Sequence, residues 1–198
     1  MDSRTRLVEA TQDLLWEQGY SATSPKDIMR RSGAGQGSMY HHFTNKQELA
    51  VEALERSALS MRHDAEKLLA ADGSACEIAT AYLRRQRDVL KGCRMGRMTF
   101  DADVLNTPEL IEPVTRTFVW LIEALTVLFE RGRDQGEFAA DIDARNLASL
   151  VVATVQGGYV LARATRDVDA FDAAVEGAAA LLRKATEPLI TEVSDHSD

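Results

Sequence analysis

The sequence predicts an all-α protein, with an N-terminal three-helix domain that contains a helix-turn-helix, followed by a larger helical domain. Apolar residues recur at helical spacing through most of the 198 residues. Several of these segments begin with a capping residue and end at a glycine. No segment alternates apolar and polar residues as a half-buried strand would.

The first strong signal is a short helix that ends in a sharp turn. Ser24 can cap this helix, Pro25 suits its first position, and the Asp27 carboxylate can return to the Ser24 amide. Gly33 and Gly35 then supply the permissive backbone that a sharp turn needs. A second short helix follows at once, so the segment has the layout of a helix-turn-helix.

This segment has the parts that a protein needs to read a DNA duplex: a rigid rod for the major groove, donors for phosphates, and side chains that bond base edges. Gln36 can bond an adenine edge, and Ser38 can bond either a base or a phosphate. The side chains suited to phosphate contacts are Lys26, Tyr40, His41 and Lys46. The alternative is a helix pair of a helical adaptor protein, serving protein contacts.

Beyond this segment the chain is expected to contain helices only. A long helix is expected from about Asn45, with a capping box to Glu48, to Ala71, and a helix capped by Ser74 is expected to run to about Leu90. Residues 93–107 are expected to be short and irregular. The remaining expected helices run from Pro108 to Gly132 or Gly136, from Asp143 through the apolar stretch 147–162, and from Val168 to about Ile190, with a disordered tail after Glu192.

The charge distribution separates the two ends of the chain. The net charge of −8 argues against a nucleic-acid partner, because affinity for DNA comes largely from neutralised phosphates. However, residues 1–46 contain six basic and five acidic residues, so this segment carries +1 and the remainder −9. A weakly basic head on an acidic body is expected to bind DNA only through that head.

The run GSMYHHF followed by NKQEL is the most specific motif of the chain. It lies in a dense set of motif residues: Leu7, Ala10, Leu14, Gly19, Tyr20, Thr23, Ser24, Asp27, Ile28, Gly33, Gly37, Tyr40, His41, His42, Phe43, Lys46 and Leu49. This set resembles the DNA-binding domain of the TetR family of transcriptional regulators. The resemblance implies a homodimeric repressor that binds a palindromic operator and is released by a small organic effector.

Carried over position by position, the resemblance also implies the DNA contacts. The residues that would face bases or the groove edge are Lys26, Gln36, Gly37, Ser38, Tyr40 and His41. The residues that would grip phosphates are Ser24, Tyr40, His42 and Lys46. Because family members vary most at Gln36 and Gly37, the operator sequence is not transferable. We expect residues 1–46 to be the DNA-binding domain and residues 47–198 the effector-binding and dimerisation domain.

The last two helices are expected to form the dimer interface, because two helices this apolar near a chain end have too little remaining chain to cover them. Small residues there let helix axes approach closely. The expected interface residues are Gly157, Gly158, Phe171, Ala174, Val175 and Ala178. The alternative is an ordinary intramolecular core.

The resemblance implies an effector pocket among the middle helices. Its candidate lining residues are Tyr82, Cys93, Met98, Phe100, Phe118, Trp120 and Tyr159, all of types that also fill a core. An arginine cluster could meet an acidic ligand, with a solvated face as the simpler interpretation; it comprises Arg84, Arg85, Arg87, Arg94 and Arg97. Cys93 is either a reactive thiol or an inert cysteine.

The sequence offers no catalytic constellation, so we expect no enzyme, no cofactor and no metal. Among the four histidines, His41 and His42 are adjacent, His63 is isolated and His196 lies in the tail. Two cysteines form no disulfide framework, and charges run through the first twenty residues, which indicates a cytoplasmic protein. The stretch 147–162 is shorter than the roughly 20 apolar residues that span a bilayer, so no membrane partner is expected.

Overall fold

The computed structural model describes residues 2–186, and within this range the chain forms α-helices and no strand. The helices are α1 (Ser3–Gln18), α2 (Pro25–Ser32), α3 (Gln36–His42), α4 (Lys46–Leu69), α5 (Ala75–Arg84), α6 (Arg94–Met98), α7 (Ala102–Leu105), α8 (Pro108–Asp134), α9 (Ala144–Thr165) and α10 (Asp169–Ala185). The predicted all-α class is confirmed. The tail after Glu192, for which disorder was predicted, lies outside the described residues.

The helix-turn-helix forms as its local sequence predicts. Ser24 caps α2, and both bonds of the capping box with Asp27 are present. Gly33 ends α2 in the left-handed conformation, with φ of 68°. Ile28 of α2 and Met39 of α3 are fully buried beneath the pair, so the two helices are fixed to one another and to α1.

Two hydrophobic cores meet near the middle of the molecule. The first core combines side chains of α1 to α4 with Met95, Met98 and Leu110 from the body. The second core lies among α5, α8, α9 and α10. Cys93 and Phe118 pack against both cores. The N-terminal helices of residues 2–46, which we name the reading head or simply the head, therefore share a core with the rest of the chain, which we name the body. Movement of α6 or α7 would disturb the packing of the reading head.

The predicted end of α5 is wrong, because the helix ends at Arg84 and not near Leu90. The cause is the Arg87 side chain, which folds back onto the end of α5. Its guanidinium donates hydrogen bonds of 2.6 to 2.8 Å to the carbonyls of Tyr82, Leu83 and Arg85. These bonds satisfy carbonyls that lose their helical partners when the helix stops.

The structure also decides where α8 ends. Gly136 takes a positive φ of 77° just beyond the helix, so it is the stop signal. Gly132 lies inside α8, where an added Cβ would stand 2.7 Å from the Cβ of Ala75 and 2.9 Å from the Phe138 ring. The segment 93–107, expected to be irregular, contains the short helices α6 and α7.

Helix α9 is long and apolar enough to cross a membrane by length and composition. In the fold it packs between α8 and α10. Ala148, Val151 and Val155 from this helix are buried in the second core. Its packing is therefore that of a core helix, in agreement with the prediction for the stretch 147–162.

Candidate nucleic-acid interface and effector cavity

Helix α3 presents one polar face to solvent. Gln36, Gly37, Tyr40 and His41 are exposed on this face, while Met39 anchors the opposite side in the core. These four positions are spaced so that they share one side of a helix. A Cβ at Gly37 would meet nothing within 4 Å, so the surface around this glycine is open to a close approach by another molecule.

Two other predicted contact residues of α3 are less exposed. Ser38 is half-buried. His42 is also half-buried, and its Nε2 shares a hydrogen bond of 2.9 Å with the Ser3 hydroxyl of α1. His42 therefore already holds the end of α3 against the start of α1.

Ser24 and Lys46, both predicted to grip phosphates, have partners within the head. The Ser24 hydroxyl donates to the Asp27 carboxylate at 2.5 Å. The Lys46 ammonium donates to the carbonyls of Tyr20 and Thr23, each at 3.1 Å. It also lies 3.8 Å from the centroid of the Tyr20 ring. An ammonium has three donors, so one N–H of Lys46 is left for another acceptor.

Burial lowers the pKa of Lys46, against the attraction of Asp103 and Asp101 that raises it. The side chain thus has a structural task in joining α4 to the loop between α1 and α2.

Most basic residues of the head are paired. Arg30 bonds Asp27 and Arg31 bonds Glu17, which leaves their local charge close to neutral. Lys26 is exposed on α2, and within residues 2–186 it has no ion-pair partner. It is therefore the cation of α2 that is most available to a phosphate.

A cavity of about 330 Å³ lies at the junction of head and body, and we name it the junction cavity. Its walls come from the end of α1, the segment around α6, and one face of α9. The lining residues are Gln18, Gly19, Gly92, Cys93, Gly96, Arg97, Phe100, Asp101, Gln156, Tyr159, Val160 and Arg163. Three of the predicted pocket residues are among them: Cys93, Phe100 and Tyr159.

The other four predicted pocket residues do not line this cavity, and their role in effector binding stays a prediction. Tyr82 and Met98 are buried in the two cores. Phe118 packs between the cores. Trp120 stacks with Arg62 at 4.6 Å and borders a separate cleft of about 30 Å³. All four pack against neighbouring helices of the protomer.

Polar residues of the junction cavity were missed because they come from distant parts of the sequence. Gln156 and Arg163 lie on α9 with Tyr159 and Val160, at spacings of three and four residues that share one helix face. The signal that could have identified this face is Gln156, a glutamine inside an otherwise apolar helix.

Burial raises the pKa of Tyr159 to about 12, so its phenol remains protonated at neutral pH.

Cys93 is a free thiol at the start of α6, and its Sγ accepts a hydrogen bond of 3.3 Å from the Gly96 amide. It borders the junction cavity and also a second cavity of about 350 Å³ that Trp16 and Arg87 help to line. The thiol therefore stands between two openings.

The predicted dimer interface is only partly at the surface. Phe171 and Val175 are buried in the protomer's own core. Gly158 packs against the Phe171 ring, and an added Cβ at this glycine would stand 2.8 Å from that ring. Phe171 and Val175 therefore join α9 to α10 within one chain, and their role at a dimer interface stays a prediction. Four of the predicted residues, Gly157, Gly158, Ala174 and Ala178, line an outer groove between the two helices, which we name the α9–α10 groove.

The α9–α10 groove has a volume of about 410 Å³ and an apolar rim. Leu150, Leu161 and Leu181 are exposed along it, at 41%, 52% and 60%. Gly157 and Gly177 line its floor, where an added Cβ would meet nothing. A second helix could approach this floor closely.

An all-helical chain with an exposed helix-turn-helix is a DNA-binding transcriptional regulator in its architecture. Comparison with known proteins gives the family. Residues 7–53 match the family described as bacterial regulatory proteins, tetR family, and residues 73–178 match the tetracyclin repressor-like C-terminal domain. The chain belongs to the TetR family of transcriptional regulators, which are not enzymes.

Relatives agree over nearly the full length. The HTH-type transcriptional regulator YxaF of Bacillus subtilis is 25% identical over 173 residues, covering 84% of this chain and 87% of YxaF. A TetR transcriptional regulator of Chloroflexus aurantiacus is 28% identical, with a TM-score of 0.81, and covers 91% of this chain and 93% of that one. The fold is also that of CifR, solved with a 26-bp operator duplex, at 21% identity and a TM-score of 0.75 over 89% and 94% of the chains.

Proposed function

We propose that this protein is a ligand-responsive repressor that binds a palindromic operator as a homodimer and is released by a small organic effector. The observation that carries the proposal is the junction cavity, because its walls include the end of α1 from the reading head and a face of α9 from the body. A molecule in this cavity touches both parts at once.

The DNA-binding part of the proposal rests on the exposed face of α3. Gln36 and Tyr40 have no hydrogen-bond partner among residues 2–186, so they are available to base edges and to phosphates. Lys26 supplies a nearby cation. CifR, which shares the fold, is bound to operator DNA in its solved complex, and we propose the same class of partner for this chain.

The dimer rests on the α9–α10 groove. A two-fold axis beside it would set the same two helices of a second copy against it, since a two-fold interface uses the same patch on both subunits. The open floor at Gly157 and Gly177 admits close helix packing, and the exposed leucines supply apolar area. The two reading helices would then enter successive major grooves about 34 to 36 Å apart, or a multiple of this distance.

Release by an effector follows from linkage. A ligand weakens DNA binding when it binds more tightly to a state with lower DNA affinity, and here that state would be one in which the two heads are wrongly spaced. The shared core of head and body provides the mechanical connection, because α6 packs against both α1 and α4. As a DNA-bound regulator of a bacterial gene, the protein would act in the cytoplasm.

The proposal is tested with a fluorescent duplex taken from the DNA upstream of the protein's own gene. We expect a specific complex in fluorescence anisotropy, and a library of small organic compounds should contain some that dissociate it. Any such compound should weaken operator binding about 5- to 150-fold and should also raise the melting temperature of the free protein. Failure to prefer the upstream duplex over random DNA would contradict the proposal.

A further inference from the structure

Four of the five arginines in the cluster of residues 84–97 contact a carboxylate, a carbonyl or an aromatic ring, and the fifth does not. Arg84 pairs with Glu176, Arg85 lies over the Tyr82 ring, Arg87 bonds the carbonyls that end α5, and Arg94 lies 3.5 Å from Asp13 and over the Trp16 ring. Arg97 is different. It lines the junction cavity, and within residues 2–186 its guanidinium has no ion pair and no hydrogen bond; its buried Nε is without a partner, as is the Nε of Arg87.

A second guanidinium reaches the same cavity from α9. Arg163 lines it beside Arg97, and it too has no hydrogen bond or ion pair among the described residues. Burial lowers the pKa of Arg97 and the charge of Arg163 lowers it further, against the attraction of Asp101, which raises it. Two unpaired cations therefore stand close enough to repel each other, an arrangement that an anion placed between them would relieve.

The rest of the lining adds a polar amide and apolar area. Gln156 extends over Gly96, where a Cβ would collide with the glutamine side chain, and its amide has no partner among residues 2–186. Phe100 is 78% exposed at the cavity, and Tyr159 and Val160 cover the wall formed by α9. A ligand that satisfies this lining has both a charged group and an apolar body.

The cavity also contains one carboxylate, and it is already in use. Asp101 accepts hydrogen bonds from the Ser21 amide at 2.8 Å and from the Ser21 hydroxyl at 2.5 Å. Burial raises the pKa of Asp101, but these bonds and those from the Asp103 and Val104 amides outweigh burial and lower it. Asp101 is thus ionised at neutral pH, and the three charges at the cavity leave a net +1 that favours a monoanion.

We propose that the junction cavity binds an organic monoanion, with its charged group between Arg97 and Arg163 and its apolar body against Phe100 and Tyr159. The inference rests on the proposed function, since it names the chemical class of the effector. It also gives a route to the reading head. An anion at Arg97 repels the Asp101 carboxylate, and Asp101 holds Ser21 in the loop that joins α1 to α2.

The proposal is tested with two fluorescent probes that share a ring system. Anilinonaphthalene sulfonate carries one negative charge, and phenylnaphthylamine is the same skeleton without it. Fluorescence titrations compare wild type, Arg97→Gln, Arg163→Gln and a control, Arg145→Gln, which removes an exposed arginine of the same helix α9 outside the cavity. Arg163 is exposed, so Arg163→Gln should fold normally and still tests the proposal if Arg97→Gln disturbs the core.

We expect each cavity variant to bind the sulfonate about 10- to 100-fold more weakly, the range of a lost charge-assisted hydrogen bond. Phenylnaphthylamine should bind all four proteins alike, and Arg145→Gln should match wild type with both probes. Equal sulfonate affinity in Arg163→Gln and wild type, an equal loss in Arg145→Gln, or no sulfonate binding by wild type would overturn the proposal.

These results are independent of DNA binding. If the protein binds its operator but the arginine variants keep their sulfonate affinity, the anion site fails and the proposed repressor stands. If the variants lose the sulfonate but the wild type shows no preference for upstream DNA, the proposed repressor fails.

Discussion

At the scale of single residues, the polar side chains of the reading head fall into two groups. Ser24, His42 and Lys46 already bond atoms of the head, so their first role is to hold its shape. Gln36 and Lys26 are exposed and have no partner within residues 2–186. We therefore expect specificity to reside in Gln36 and non-specific affinity in Lys26.

The first prediction separates these two residues. Gln36→Ala should lose about 1 to 3 kcal/mol of binding free energy on one operator base pair and leave random DNA unaffected, because base contacts specify sequence. Lys26→Ala should weaken operator and random DNA alike and reduce the salt dependence by about one phosphate contact. Anisotropy titrations at several salt concentrations measure both effects. If Gln36→Ala lost equal binding free energy on operator and random DNA, Gln36 would not be a base contact.

The second prediction concerns Lys46. Lys46→Ala should lower the free energy of unfolding by about 1 to 3 kcal/mol, because the carbonyls of Tyr20 and Thr23 lose the ammonium that donates to them. Lys67→Ala is the control, since Lys67 is an exposed lysine of the same helix α4. Urea denaturation compares the two variants. If both unfold like wild type, the Lys46 side chain does not hold the loop.

At the scale of elements, a short clasp joins α7 to the loop between α1 and α2. Asp101 caps α7 and receives both hydrogen bonds from Ser21, while the Ser21 hydroxyl also contacts Asp103 at 2.9 Å. This clasp connects the wall of the junction cavity to the reading head. It is the element on which a ligand signal would act.

The third prediction tests the clasp. Ser21→Ala should speed hydrogen exchange of the loop amides and cost about 1 kcal/mol of stability. Ser149→Ala is the control, because its hydroxyl bonds only a carbonyl of its own helix. In wild type the folded pKa of Asp101 is lowered, so its contribution is full above its unfolded pKa of about 3.9 and is lost as the pH falls through the folded value. Exchange in Ser21→Ala as slow as in wild type would show that the clasp is not formed.

How much the sequence predicts differs between local and long-range features. The capping box at Ser24 and the cap at Ser74 form as predicted, because each joins residues only three positions apart, and Ser74 forms a full capping box with Glu77 that was not predicted. At Asn45 the prediction is half right: Asn45 caps α4, but the Glu48 carboxylate accepts from the Thr44 amide instead. The early end of α5 could not be predicted, since it depends on the fold-back of one arginine side chain.

The same reasoning explains the site residues. The exposed face of α3 follows from its helical period and from Met39 as the buried anchor, both visible in the sequence. Junction-cavity residues such as Gln18, Arg97 and Gln156 lie far apart in sequence and meet only in the fold. Phe171 and Val175 were expected at a dimer surface and are buried in the protomer's own core, since an apolar helical face does not by itself tell which neighbour covers it.

At the scale of the whole molecule, the α9–α10 groove should hold the second copy. The fourth prediction is that wild type is a dimer in solution and that Gly157→Arg or Gly177→Arg makes it monomeric, since each forces a charge between closely packed helices. Both glycines have open space around them in the protomer, so the chain itself should still fold. Light scattering gives the mass, with the exposed Ala70→Arg as the control. A tight dimer in either glycine variant would place the interface elsewhere.

The central claim is that two copies of this chain read an inverted repeat through α3. The most direct measurement is an anisotropy titration of wild type on an upstream duplex containing such a repeat and on the same duplex with one half-site scrambled. Because a two-fold dimer reads two half-sites together, we expect an even number of protomers on the intact duplex and a much weaker complex on the scrambled one. Equal affinity for the two duplexes would contradict the account.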